Sequence, residues 1–160
     1  GKVVAIIGGG NSALDAALQM IHIASKIYLI NLGEKINGDA VMREKLAASP
    51  LVEIMNNTKV VEIFGEKFVK GIKVKTGGNI HTLAVEGVFV EIGLTPNSEF
   101  ISLAEKNQEG EIIVNCAAET NLPGLFAAGD VTNVPEKQII IAAGEGSKAA
   151  LSAFKYLSTH

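Results

Sequence analysis

Gly8, Gly10 and Ala13 stand at the spacing Gly-x-Gly-x-x-Ala directly after the apolar run Val3–Ile7. That spacing suits a backbone that must receive phosphate. The first glycine permits a tight turn, the second admits a pyrophosphate against the main chain, and the third small residue lets a helix pack close to its strand. Asn11 or Ser12 is placed to cap that helix, whose first amides and positive dipole end favour an anion. Asn31 lies about 20 residues further on, where an acidic side chain ordinarily holds the adenosine ribose 2′-hydroxyl. An amide there can still bond a ribose hydroxyl, but it repels a 2′-phosphate less than a carboxylate would. Glu34 could supply the missing acid, although its offset puts it in a loop. A second chemical stretch is Gly129-Asp130, followed by Lys137-Gln138-Ile139 and a helix containing Gly144 and Gly146. Interior glycines cost a helix on the order of 1 kcal/mol each relative to alanine. Two of them point to close approach of something large and flat. His22, His81 and Cys116 read as ordinary residues, Cys116 as a half-buried one.

The elements that must position these residues follow from periodicity. Residues 3–7 form a strand buried on both faces, and 12–24 a helix with Leu14, Ala17, Leu18 and Ile21 on one side. A strand over 27–31 follows, then a helix capped by Asp39 and ended before Pro50, then a strand over 51–55. This is β-α-β-α-β, the mononucleotide-binding half of a doubly wound sheet. From Thr58 to Val85 the pattern becomes an antiparallel meander, with turns at Gly65-Glu66-Lys67 and Gly77-Gly78-Asn79. A buried strand over 88–92, a short helix over 98–105, a strand over 111–115 and a strand over 125–128 are expected next. A long helix over about 138–157 ends the chain. A domain boundary is expected near Cys116 to Asn121.

The net charge of −3 gives no reason to expect nucleic acid or an anionic membrane as partner. The single cysteine excludes an internal disulfide and any Cys-x-x-Cys pair within these residues, and fits a cytoplasmic setting. No apolar run approaches the length of a membrane span, and no metal ligands are expected. The opening Gly1-Lys2 enters a core strand at once without an initiator Met, which suggests a fragment.

Four stretches carry a family resemblance: Gly8–Ala13, Glu91–Asn97, Glu119–Asp130 and Lys137–Gly146. With them the chain resembles the thioredoxin reductase-like pyridine-nucleotide flavoprotein disulfide reductases, on the side of the alkyl hydroperoxide reductase flavoproteins. The last two stretches are far more specific than the first. The resemblance implies an α/β fold: a Rossmann-like three-layer NAD(P)H-binding domain with a β-meander over residues 1–117. Residues 118–160 would be the C-terminal segment of an FAD-binding domain. Gly8, Gly10, Asn11, Ser12, Ala13, Asn31 and Gly93 would then serve the nicotinamide dinucleotide, and Gly129, Asp130, Lys137, Gln138 and Ile139 the FAD. Asp130 would bond the ribityl or pyrophosphate region. The helix N-terminus at Gln138 and Ile139, with Lys137 beside it, would stabilise negative charge on the reduced ring.

The same resemblance puts the redox Cys-x-x-Cys and the first FAD glycine motif upstream of Gly1, so no catalytic residue is expected in this chain. It implies a homodimeric intact enzyme, an inserted domain that rotates about residues 116–121, and thioredoxin or another dithiol or peroxiredoxin carrier as partner. Relatives that prefer NADPH resemble one another in a His-Arg-Arg run where this chain has Asn31-Leu32-Gly33. A phosphate without a guanidinium partner loses its strongest bonds, so NADH is expected over NADPH. The competing expectations are a ferredoxin–NAD(P)H reductase-like flavoprotein and a non-catalytic dinucleotide-binding module.

Overall fold

The computed structural model describes residues 1–159. The chain divides into two compact units, one spanning Gly1–Gly93 and one beginning at Leu94.

The first unit is built on a parallel sheet of β1 (Val3–Ile7), β2 (Lys26–Ile30), β3 (Val52–Met55) and β7 (Gly87–Val90), in the order β3-β2-β1-β7. Registers run Val4 to Ile27 and Val4 to Gly87, so β1 has a parallel partner on each side. Alternation along the strands sends side chains to two different cores. On one face Val4, Ile6, Ile27 and Leu29 pack with Ala13, Leu14 and Ala17 of α1 (Asn11–Met20) and Leu46 of α2 (Ala40–Ala47). On the other face Ala5 and Ile30 pack with Ile72, Val74 and Val85. Ile72 and Val74 come from the antiparallel sheet β4 (Thr58–Gly65), β5 (Val69–Thr76) and β6 (Asn79–Leu83). Helices, parallel sheet and meander are therefore the three layers expected from the sequence. α1 stops earlier than expected, at Met20. Asp39 caps α2 as anticipated, its Oδ1 accepting from the Val41 and Met42 amides at 2.9 and 3.3 Å.

The second unit departs further from expectation. Residues 98–105 form turns rather than a helix. Ser98 Oγ donates to the Gly110 carbonyl at 2.6 Å and Lys106 Nζ to the Ser98 carbonyl at 2.7 Å, holding the segment in a tight loop. Phe100 and Leu103 are exposed and of the segment's apolar side chains only the small Ala104 is buried, too little packing to support a helix. The strands expected at 111–115 and 125–128 reduce to single bridges: Ile112 with Lys106 and Thr132, and Phe126 with Glu119. β7 ends at Val90 rather than Ile92. A 3₁₀ turn (Gly129–Val131) and α3 (Ile139–Thr159) complete the unit. α3 buries none of its residues, leaving Ile139, Ile140, Leu151, Phe154 and Leu157 exposed. Cys116 is exposed as well, against the expected half-burial, because it sits in a turn. His81 is also exposed, at the outer strand of the meander.

Candidate functional site: a dinucleotide-sized cleft

The first unit holds a cleft of about 730 Å³ at the carboxyl ends of β1, β2 and β7, walled on its far side by β4. β2 and β7 flank β1 on opposite sides, and ligands of open α/β sheets settle at that kind of switch in strand order. The three glycines of the turn have different reasons to be there. Gly8 has φ +148°, and its amide donates to the Ile30 carbonyl at 2.9 Å. A Cβ on Gly8 would overlap the Glu91 carbonyl oxygen, and one on Gly9 would overlap Asn31 Oδ1. Gly10 is the exception, since a Cβ there would meet nothing within 4 Å. Of the three, Gly10 alone is left small without a need from the chain itself.

Ser12 lines the cleft and Ala13 is fully buried beneath the turn. The expected side-chain cap is absent: Gly10 occupies the cap position, and no side chain bonds the first turn of α1. Asn11 Oδ1 instead accepts from the Asp39 amide at 2.8 Å, tying α1 to the start of α2. The first-turn amides, which have no partners within a helix, remain available on the cleft side.

Asn31 also lines the cleft but is more constrained than its sequence position suggests. It is 7% exposed. Its Nδ2 donates to the Gly33 carbonyl at 3.0 Å and to Asn56 Oδ1 at 2.9 Å, while its Oδ1 accepts from the Gly33 amide at 3.3 Å. Both amide protons are used, so Asn31 can offer a ligand only its oxygen. Gly93 closes the β7 side of the cleft with φ +107°. Glu34 and Lys35 are exposed in the loop after β2 and are not part of the cleft wall. Thr58, Lys59 and Ile63 also line the cleft and were not expected there, because the meander reads as a separate layer. A lysine at the start of its first strand is the one usable hint.

In the second unit Gly129, at φ +77°, faces the first turns of α3, where its Cβ would lie 3.4 Å from that of Ala142. Thr132, fully buried, donates from Oγ1 to the Gly129 carbonyl at 2.7 Å and pins the turn. This brings Asp130 to the same end of the unit as the start of α3. The Asp130 carboxylate is exposed and has no hydrogen-bond partner among the described residues. Gln138 and Ile139 are exposed. Lys137 is not directed outward with them. Its ammonium pairs with Glu111 Oε1 at 2.8 Å and donates to the Thr132 carbonyl. That contact, with a second bond from Asn107, holds the Glu111 carboxyl below the usual carboxylate range. A Cβ on Gly144 or Gly146 would meet nothing within 4 Å among the described residues beyond their own helix backbone.

A parallel sheet in this strand order, with a glycine turn opening on a cleft at its carboxyl end, is the architecture of the dinucleotide-binding α/β folds. The chain belongs to the family described as pyridine nucleotide-disulphide oxidoreductase, whose model matches residues 1–146. It is 47% identical over 161 residues to the F subunit of alkyl hydroperoxide reductase from Xanthomonas campestris pv. phaseoli, covering 98% of this chain and 30% of that protein. The corresponding protein of Escherichia coli (strain K12) is 45% identical, with 98% of this chain and 31% of the relative covered. The chain thus spans less than a third of these relatives. Among solved structures, thioredoxin reductase of Lactococcus lactis matches with a TM-score of 0.86 and 28% identity, over 99% of this chain and 54% of that one. Thioredoxin reductase of T. acidophilum matches at a TM-score of 0.82 and 35% identity, over 97% and 52% of the two chains.

Proposed function

We propose that this chain is the nicotinamide-nucleotide portion, with part of the flavin portion, of an NADH-dependent FAD disulfide reductase. The observation that carries the reading is Gly10. It faces open cleft beside uncapped helix amides, between β2 and β7. When bound, NADH supplies a hydride that FAD relays to a cysteine pair outside these residues.

This chain's own residues bind and orient. Gly8 and Ala13 set the turn against the helix, Gly10 admits the pyrophosphate, and the amides of Asn11 and Ser12 bond it. Asn31 fixes the shape of the ribose end, and Gly93 borders the nicotinamide end. Asp130 is suited to FAD hydroxyls because an exposed carboxylate accepts hydrogen bonds from two hydroxyl groups at once, with Gly129, Gln138 and Ile139 beside it. Lys137 acts one step back, holding the loop that carries Asp130. NADH is favoured because the sole arginine, Arg43, lies on α2 and no guanidinium reaches the cleft. Residues 1–117 are assigned to nucleotide binding and 118–160 to the flavin domain. On this reading the uncovered apolar residues of α3 pack in the intact homodimeric enzyme. The disulfide acceptor is thioredoxin or another dithiol or peroxiredoxin carrier. Among the described residues no helix is long and apolar enough to cross a membrane, and a cytoplasmic setting fits the lone cysteine.

The test is anaerobic addition of NADH to the intact protein. Loss of visible flavin absorbance followed by thiol formation on a disulfide-bonded carrier protein is the expected result. An intact protein that binds no flavin, or whose flavin NADH leaves oxidised, overturns the reading.

A further inference from the structure

Lys59 is an exposed cation at the rim of the cleft, one residue along β4 from the inward-facing Val60, and the fold gives it no anion. It lines the cleft, and among the described residues its ammonium has no ion pair, hydrogen bond or ring partner. Of the other lysines of the first unit, Lys26 pairs with Glu53, Lys70 with Glu66 and Lys73 with Glu62, while Lys35 and Lys45, which have no acidic partner among the described residues, lie outside the cleft lining. Across the strands Lys59 stands directly opposite Lys75, which also lacks an acidic partner among the described residues. Like charges facing each other on neighbouring strands oppose pairing. Further along the ladder, Glu62 opposite Lys73 is neutralised at 2.7 Å. Positive charge at the start of β4 is therefore uncompensated within the described chain.

Its location along the cleft is fixed by main-chain bonds. The Asn57 amide donates to the Gly33 carbonyl at 2.9 Å and the Thr58 amide to the Asn31 carbonyl at 3.0 Å. The start of β4 is thereby fastened beside the residues that follow β2, which in this fold is the adenosine-ribose end. Glu91, the cleft's carboxylate, lies on the β7 side of β1.

We propose that Lys59 is a specificity-determining residue that receives the 2′-phosphate of a phosphorylated dinucleotide. It thereby sets how far the chain tolerates NADPH against NADH. This rests on the reading of the cleft as a dinucleotide site. The pyrophosphate has the amides of α1 for partners, so the charge at the other end is left for the 2′ position. An ammonium is a single point charge without the bidentate fork of arginine, so it softens the preference for NADH without reversing it.

The test is equilibrium titration of the intact protein with NADP⁺ and with NAD⁺, in the wild type, Lys59→Gln and Lys59→Arg, each checked for an unchanged thermal melt. The ratio of the two affinities is the readout. In Lys59→Gln the relative affinity for NADP⁺ falls on the order of 5- to 10-fold, as expected for one charge-assisted contact. Lys59→Arg keeps the ratio at or above the wild-type value, and added salt narrows the difference between wild type and Lys59→Gln. A ratio unchanged in Lys59→Gln, or equal loss of both ligands, overturns the assignment while leaving the cleft a dinucleotide site. Failure of the wild type to bind either ligand overturns both.

Discussion

Lys137 Nζ lies 2.8 Å from Glu111 Oε1, with the two side chains 18% and 20% exposed. The pair joins the residue before the two isolated bridges of Ile112 to the loop that precedes α3. Glu111 also accepts from Asn107 Nδ2 at 2.7 Å. A partly dehydrated pair of this kind contributes specificity of arrangement, and removing one partner strands the other.

A pH dependence follows from that contact. The Glu111 carboxyl is held below the ordinary carboxylate value, chiefly by the Lys137 bond and then by Asn107. A folded-state value below the unfolded one means the contribution is complete above the usual carboxylate range. It is lost as the pH falls through the depressed value. Glu111→Gln is expected to lower the melting temperature by a few degrees at neutral pH. The gap from wild type should close on acidification below about pH 4, near the unperturbed carboxylate range. A gap that stays constant down to acid denaturation would remove the ion pair as its cause.

The glycine turn separates folding from binding. Gly8→Ala forces a Cβ onto the Glu91 carbonyl at φ +148°, so it should destabilise by about 2 kcal/mol or more. Gly10→Ala meets nothing in the chain and has an extended backbone, φ −94° and ψ −177°. Its stability should change by about 1 kcal/mol or less, while NADH affinity falls roughly tenfold from lost backbone approach. Denaturant melts and NADH titration of the two variants of the intact protein check the contrast.

Asn31 is as much a brace as a contact. Removing its amide in Asn31→Ala leaves the Gly33 carbonyl and Asn56 Oδ1 without the partners seen at 3.0 and 2.9 Å. The expected loss is about 1–3 kcal/mol, measured by urea unfolding, with weaker binding of NADH and NADPH alike. A large change in the ratio of the two would instead make Asn31 the discriminating residue.

The first unit is legible in the sequence because its signals are local. Five apolar residues before Gly8, an Asp39 cap and the Gly77-Gly78 turn each settle their own element. The second unit is not. The apolar runs 111–115 and 125–128 read as strands, but strand formation needs a neighbour to pair with, and here they find only isolated bridges. Phe100 and Leu103 have the spacing of a helix face yet are exposed, so propensity has nothing to pack against. Within the site, the glycines are legible from type and spacing. Lys59 is not, because its place on the cleft depends on which strand end the meander lays beside β2. Lys137 reads as a functional cation, whereas its partner Glu111 lies far upstream in sequence and is joined to it only by the fold.

Asp130 separates the flavin portion of the proposal from the dinucleotide portion. Its carboxylate has no partner among the described residues and no buried surface to support, so Asp130→Ala should change stability of the flavin-free protein by no more than about 0.5 kcal/mol. Flavin retention should suffer instead, because a lost charge-assisted bond to a ligand hydroxyl costs about 1.5–3 kcal/mol, roughly a 10- to 150-fold weaker hold. The variant of the intact protein should emerge from gel filtration depleted of bound FAD and regain colour with added FAD. Its affinity for NAD⁺ by direct titration should match the wild type, since Asp130 lies in the second unit and the cleft residues in the first. Full flavin occupancy in Asp130→Ala would remove this residue from the flavin site, and parallel loss of NAD⁺ binding would mean that the substitution acts through the fold.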